Sequence, residues 1–196
     1  MEQFFLEQPS LRRREAIVDY LHEFVACGSE INGSGSLDKI FSGFSFEQAL
    51  ERCLRMEDPA YAASIDHCPG RTFLLIRAGD DRLIGTINVR WNLSETMLRW
   101  AGHIGYGIRP SERRKGYAKL QLYAGLKEAQ KLGLERVMLG CSTDNPASEK
   151  TIRALGGVFE RMGVDPQDGE ESLVFWIDVE RSLETCRALY EPFLGG

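Results

Sequence analysis

Hydrophobic residues recur along this chain at two spacings, and the spacing changes at turns rich in glycine, proline and polar residues. Alternating apolar positions and short apolar runs are typical of strands, whereas apolar positions three or four residues apart are typical of helices. Strands are predicted at residues 4–6, 71–78, 82–91, 100–108, 137–139, 158–159 and 172–179. Helices are predicted after the capping residue Ser10, at residues 46–56 and 118–132, from Pro146 to Gly156, and at residues 182–190.

The order of these elements predicts an α/β fold. Residues 71–78 and 82–91 form an antiparallel pair joined through Gly79-Asp80-Asp81. Residues 100–108, the helix after them and residues 137–139 follow the order strand, helix, strand, which predicts a right-handed βαβ unit with parallel strands. The whole chain therefore predicts a mixed, mostly antiparallel sheet of about seven strands flanked by helices.

Length and charge restrict the function. At 196 residues the chain suits one compact domain. Its net charge of −5 argues against general nucleic-acid binding, for which we expect a basic surface. No apolar stretch approaches membrane-spanning length, and the first residues lack the features of a signal peptide. We therefore expect a cytoplasmic protein that binds neither nucleic acid nor membrane.

The cysteines and histidines show no spacing typical of a metal site. The five cysteines are odd in number and include no Cys-x-x-Cys pair, so neither zinc nor a disulfide framework is expected. Reduced thiols in a reducing compartment are the better interpretation. The cysteines are Cys27, Cys53, Cys68, Cys141 and Cys186, and the histidines are His22, His67 and His103.

A basic turn joins the strand ending near Ile108 to the helix that follows it. The first N–H groups of a helix lack partners and carry the positive end of its dipole. Gly116 would let an anion approach the backbone, and residues 113–115 add positive charge. The turn therefore predicts a pyrophosphate site, although a solvated connecting turn would show the same charges. The Gly-Lys-(Ser/Thr) of a P-loop is absent, and the glycines at 102, 105 and 107 have reversed dinucleotide spacing.

The same turn carries a family resemblance. Arg113-Arg114-Lys115-Gly116-Tyr117-Ala118 resembles the (Gln/Arg)-x-x-Gly-x-(Gly/Ala) acetyl-CoA signature of the GNAT superfamily of N-acetyltransferases. Residues 104–110 resemble the family's fourth strand, and Asn145-Pro146-Ala147-Ser148 resembles its Asn-x-x-(Ala/Ser) helix start. The match covers roughly residues 70–180 and is nearest to uncharacterised, predicted acetyltransferases of this superfamily. It implies one GNAT-like domain over residues 1–196, with the first strand and the acceptor-side helices in residues 1–60.

The resemblance also implies which residues hold acetyl-CoA, the acetyl donor. Amides of the turn would hold the pyrophosphate, the strand ending at Ile108 would pair with pantetheine, and the helix start would line the pantetheine arm. Asn145 also has a structural explanation, because it can cap the helix that Pro146 begins. The expected cofactor-binding residues are Ile108, Arg113, Arg114, Lys115, Gly116, Tyr117, Ala118, Asn145 and Ser148.

His103 is the candidate catalytic base. An alkylamine is largely protonated at pH 7, so the acceptor must lose a proton before it attacks. Many family members carry Glu just before the Ile-Gly-Tyr part of this strand, and His103 occupies that place. Histidine titrates near neutrality and could serve. The alternative is a strand histidine satisfied by backbone groups.

The general acid departs from the family pattern. Many GNAT enzymes place a tyrosine seven residues after the Asn, and that position is Ile152. Tyr106 is the candidate replacement and Tyr123 a second one, although both could be packing residues. CoA thiolate is also a tolerable leaving group, so the reaction could proceed without an acid. An acetyl-enzyme on Cys141 is less favoured than inert burial, because no activating partner is evident in the sequence.

The expected function is therefore acetyl transfer from acetyl-CoA to a primary amine, by direct attack in a ternary complex. The acceptor would be a small molecule or a peptide amine. The resemblance implies that it is bound by the N-terminal helices, the loop at residues 28–45 and later strand ends. Glu30, Asp38 and Glu47 in these segments could attract a cationic amine, or could equally be solvated. Many relatives are dimers, so a homodimer is compatible. The alternatives are a non-catalytic acyl-CoA-binding module and an α/β domain that binds another phosphate ligand.

Overall fold

The computed structural model describes residues 2–164 and 169–195, in which the chain forms seven strands and seven α-helices. The strands are β1 Phe4–Glu7, β2 Gly70–Arg77, β3 Arg82–Arg90, β4 Ile104–Ile108, β5 Arg136–Ser142, β6 Val158–Val164 and β7 Glu171–Asp178. The helices are α1 Arg14–Ala26, α2 Phe46–Arg55, α3 Pro59–Ser64, α4 Glu95–Arg99, α5 Tyr117–Lys131, α6 Pro146–Ala154 and α7 Val179–Tyr190. None of these helices is long and apolar enough to cross a membrane.

The strands form two antiparallel sheets. One sheet has the order β1-β2-β3-β4, and the other has the order β5-β7-β6. Neighbouring strands within each sheet are antiparallel. The predicted α/β class, with seven mostly antiparallel strands flanked by helices, is confirmed.

The two sheets meet at one point beside β4 and β5. The N–H of His103 donates to the carbonyl of Met138 at 2.7 Å. The N–H of Met138 donates back to Nδ1 of His103 at 2.9 Å. An isolated antiparallel bridge, Gly102 with Leu139, adjoins them. We call these contacts the junction.

The parallel pairing expected on the two sides of α5 does not form. No ladder joins β4 to β5 in the described residues, so the strands on either side of the helix belong to different sheets. The first strand of this unit is also shorter than predicted. Ser94 accepts the N–H of Met97 at 3.3 Å and caps α4, so residues 95–99 are helical and β4 begins only at Ile104.

Helix bounds elsewhere depend on their caps. Ser45 and Gln48 form a reciprocal capping box that begins α2. The side chain of Asp178 caps α7, so this helix begins at Val179, three residues before its predicted start. The hydrophobic pattern did not predict α3, which Asp58 caps. Ser10 makes no side-chain cap bond, and a short 3-10 helix precedes α1.

Helix α5 is held firmly against the first sheet. Leu122 and Leu126 are fully buried in one core cluster with Ile87 of β3. A Cβ on Gly125 would lie 2.3 Å from Cδ1 of Ile87, so glycine permits this close approach. Burial of each large aliphatic side chain contributes about 1.5–3 kcal/mol. This packing places the start of α5 beside the end of β4.

The junction predicts how stability depends on pH. Burial and the nearby Arg90 charge lower the pKa of His103 from its ordinary value of 6.5 to about 4. The unfolded chain therefore takes up the proton first, and this contribution to the free energy of unfolding is full above pH 6.5 and is lost as the pH falls towards 4. Denaturant titrations at several pH values measure it.

His103→Asn and His103→Ala separate the two parts of this effect. An asparagine Oδ1 can accept the Met138 N–H without titrating, so the loss of stability between pH 6.5 and 4 should shrink. His103→Ala should destabilise the fold by about 1–3 kcal/mol even at pH 8, because it leaves a buried N–H without its acceptor. An unchanged pH profile for His103→Asn would contradict the assignment.

Candidate active site

A cleft opens where β4 and β5 separate beyond the junction. Its inner part, the strand cavity of about 330 Å³, is lined by Ile104, Gly105 and Tyr106 from β4 and by Gly140 and Cys141 from β5. Its outer part, the turn cavity of about 630 Å³, lies against the basic turn at residues 112–119. The two cavities share the lining residues Glu30, Asn32, Tyr106, Asn145 and Ser148. They therefore form one continuous cleft.

The basic turn presents unpaired backbone donors to the turn cavity. In the described residues, no acceptor pairs with the five N–H groups from Arg114 to Ala118. Gly116 is the N-cap of α5 with φ of 88°, makes no side-chain cap bond, and has nothing within 4 Å of where a Cβ would stand. Arg114 also has a positive φ of 64°. An anion placed here would meet aligned donors and the positive end of a 15-residue helix.

The three basic side chains of this turn differ in their contacts. Arg113 donates to the carbonyl of Ile108 and to Oγ of Ser29, both at 3.2 Å. Lys115 pairs with Glu112 at 2.8 Å. No hydrogen bond or ion pair within the described parts of the chain involves the side chain of Arg114, which is exposed. Arg114 is therefore the side chain of the three that can reach an anion without breaking another contact.

The side chains of Glu112 and Tyr117 fix the basic turn to the rest of the fold. Burial acts to raise the pKa of Glu112, but hydrogen bonds and charges from Lys115 and Arg77 outweigh it and hold the pKa below its ordinary range. The Tyr117 hydroxyl donates to Glu2 at 2.9 Å. Its ring packs on Phe4 with centroids 5.0 Å apart. The Tyr117 hydroxyl is therefore already used, and the group of Tyr117 that can donate to an anion is its backbone N–H. The backbone N–H of Ala118 can also donate to an anion.

Tyr106, Ser148 and Asn145 meet where the two cavities join. The Tyr106 hydroxyl and Oγ of Ser148 lie 3.0 Å apart. Oδ1 of Asn145 accepts the N–H of Ser148 at 3.0 Å and caps α6, as the sequence predicted. Burial raises the pKa of Tyr106 to about 12. The phenol is thus a neutral hydrogen-bond donor throughout the physiological pH range.

The edge of β4 that faces the cleft has peptide groups without a partner strand in the described residues. His103 O and the N–H of Arg109 bond to β3, at 2.7 and 2.8 Å. In an antiparallel pair alternate residues bond to the same neighbour, so Gly105 and Gly107 also face β3. The peptide groups of Tyr106 and the N–H of Ile108 consequently face the open edge. A ligand with amide groups could pair with this edge as an added strand.

The structure does not support His103 as the base. His103 is absent from the lining of both cavities, which includes its neighbours Ile104 and Gly105. Its Nδ1 accepts a hydrogen bond from the Met138 N–H, so this nitrogen is not free to take a proton from an acceptor. Its ring faces Trp176, with centroids 6.0 Å apart. Its imidazole and its N–H both bond to backbone groups of Met138, and the residue lies just before β4.

Of the other positions considered for catalysis, Cys141 lines the cleft, whereas Tyr123 and Ile152 do not. The Tyr123 hydroxyl donates to Glu191, and Ile152 is fully buried, so neither reaches the cleft. Burial raises the pKa of Cys141 to about 11, which leaves it an inert thiol.

Of the three carboxylates considered for the acceptor, only one lines the cleft. Asp38 accepts from Ser34 and Glu47 pairs with Arg14, whereas Glu30 lines both cavities. Within residues 2–164 and 169–195, no group of three or more His, Cys, Asp or Glu side chains could hold a metal ion.

Comparison with known proteins extends this description. A family model described as an acetyltransferase (GNAT) domain matches residues 42–158, which is more than half of the chain. A search of curated protein sequences gave no match.

Solved structures show the same fold at low identity. Spermidine/spermine N-acetyltransferase SpeG from Vibrio cholerae is 17% identical with a TM-score of 0.63, over 93% of this chain and 98% of that one. Ribosomal-protein-S5-alanine acetyltransferase from Vibrio fischeri is 18% identical with a TM-score of 0.65, over 91% and 94%. The ribosomal L7/L12 α-N-protein acetyltransferase RimL, solved with coenzyme A, is 18% identical with a TM-score of 0.60, over 89% and 94%.

Proposed function

Because this chain belongs to the GNAT acetyltransferase family, we propose that it transfers the acetyl group of acetyl-CoA to a primary amine. The observation that carries the proposal is the run of unpaired N–H groups from Arg114 to Ala118, which opens onto a cleft passing Tyr106. One structural relative is named for spermidine and two for ribosomal proteins, and one of these was solved with coenzyme A. These names support an amine acceptor and a CoA-linked donor.

The turn cavity suits the donor. The unpaired amides and the Arg114 guanidinium would hold the pyrophosphate, and each such contact is a charge-assisted hydrogen bond. The open edge of β4 at Tyr106 and Ile108 would pair with the amides of the pantetheine arm, and Asn145 and Ser148 would line its other side. When bound, acetyl-CoA supplies the thioester carbonyl that the amine attacks.

The residues where the cavities join suit the chemistry. The neutral Tyr106 phenol can donate its proton to a departing thiolate, with Ser148 holding its hydroxyl in place. Glu30 lines both cavities, so its carboxylate can attract a protonated amine and accept its proton, directly or through water. Glu30 therefore replaces His103 in our assignment of the base.

Gly116→Glu tests the donor site. A carboxylate side chain in the turn cavity repels an anion and covers the amides, so we expect acetyl-CoA affinity to fall at least about 100-fold, as for loss of several charge-assisted bonds. Isothermal titration calorimetry measures it. Gly133→Glu is the matched control, because Gly133 lies at the other end of α5 with φ of 76° and nothing within 4 Å of its Cβ position. Equal affinity of the two folded variants would refute the placement.

Tyr106→Phe tests the acid. We expect kcat to fall about 100-fold, the usual scale for a general acid, with little change in acetyl-CoA affinity. Tyr123→Phe is the control, because it removes another buried hydroxyl outside the cleft. Thiol release over a panel of amines gives the rate. Acetyl-CoA binding without thiol release from any amine would instead favour the non-catalytic module, and unchanged kcat would remove Tyr106 from the mechanism.

A further inference from the structure

Arg90 is a cation without a partner inside the strand cavity. It ends β3 and lines this cavity, yet no ion pair or side-chain hydrogen bond in residues 2–164 and 169–195 involves its guanidinium. Its Nε is buried and has no hydrogen-bond partner. Most other buried or half-buried arginines here are paired: Arg13 with Glu7 and Asp81, Arg77 with Asp80 and Glu112, and Arg109 with Asp19 and Glu23.

Gly105 leaves room for the Arg90 guanidinium in the strand cavity. A Cβ on Gly105 would lie only 3.1 Å from Nη2 of Arg90, so glycine leaves the space that the guanidinium uses. Gly105 lines the strand cavity and directly precedes Tyr106. Successive side chains of a strand point to opposite faces, so Arg90 lies on the face of β4 opposite the Tyr106 ring.

Trp100 also lines the strand cavity. Its Nε1 is inaccessible to solvent and has no hydrogen-bond partner among the described residues. Leaving a buried donor unpaired is unfavourable, and more so for a charged group. The unpaired Arg90 guanidinium therefore favours a ligand that brings acceptor oxygens and a negative charge.

We propose that the strand cavity recognises a carboxylate of the acceptor through Arg90, and that the acceptor is an amine that also bears a carboxylate, as amino acids do. The assignment rests on the proposed acetyl transfer. A planar guanidinium matches the two oxygens of a carboxylate. Arg90 would repel a polyamine, so this specificity differs from that named for the spermidine relative.

The first experiment compares each of the twenty amino acids with its α-carboxamide as acceptor, with spermidine as a further probe. Thiol release gives kcat and KM. We expect a free carboxylate to lower KM about 10- to 100-fold relative to the amide, the value of one charge-assisted hydrogen-bonded pair. Arg90→Met should abolish that preference by raising KM for the amino acids to the KM of their amides, and Arg90→Lys should restore part of it.

Arg52→Met is the matched control. Arg52 is also half-buried with an unpartnered Nε, but it lies on α2 and does not line the strand cavity. This variant should keep the preference for the carboxylate. Amides or spermidine equal to or better than the amino acids would overturn the proposal, as would an undiminished preference in Arg90→Met.

A second readout does not depend on turnover. The Trp100 indole N–H signal, assigned with Trp100→Phe, is followed by NMR as the same amino acids and amides are added. A shift with an amino acid that is absent with its amide and in Arg90→Met supports the carboxylate site, even if no amine is acetylated. No shift with any amino acid overturns the site. Failure of acetyl transfer with this shift present would refute the proposed function alone.

Discussion

The junction between His103 and Met138 is the constraint on which the rest of the site depends. Its two hydrogen bonds join β4 to β5 at one point, and no ladder continues them in the described chain. Both strands therefore keep a free edge beyond it, and peptide groups that a continuous sheet would have paired face a cleft instead. Since unpaired buried peptide groups are unfavourable, a ligand with complementary groups is stabilised there.

Helix α5 places its unpaired N–H groups at one end of this opening. Its packing on β3 through Leu122, Leu126 and Gly125 fixes its start beside the end of β4. The unpaired amides of the basic turn consequently lie along the line of the free strand edge. The proposed anion binding at the turn and ligand pairing at β4 would thus depend on the backbone, and a change of surface side chains would leave both sets of unpaired groups in place.

Sequence reasoning succeeded where a feature is local. The turn around Gly116 and the cap formed by Asn145 depend on neighbouring residues, so their structure follows from the order of residue types. The role of His103 depends on Met138, which is 35 residues away, and no periodicity reports that contact. The hydrophobic pattern also treats Arg90 as the polar end of a strand, and only the fold shows that its guanidinium lacks a partner. The missing parallel ladder also depends on residues far apart in the sequence, because only the fold shows that β4 and β5 separate beyond the junction.

The two ends of the cleft are built differently, and this difference bears on specificity. The donor end, as we propose it, would use backbone amides, which do not vary with side-chain identity. The strand cavity is lined by residues from separate elements: Glu30 from the loop after α1, Arg90 from β3 and Trp100 after α4. Each of these can change without disturbing the turn, so acceptor choice can diverge on a fixed donor site. On our proposal, the guanidinium of Arg90 beside Gly105 would give this chain a charge preference that its fold alone does not determine.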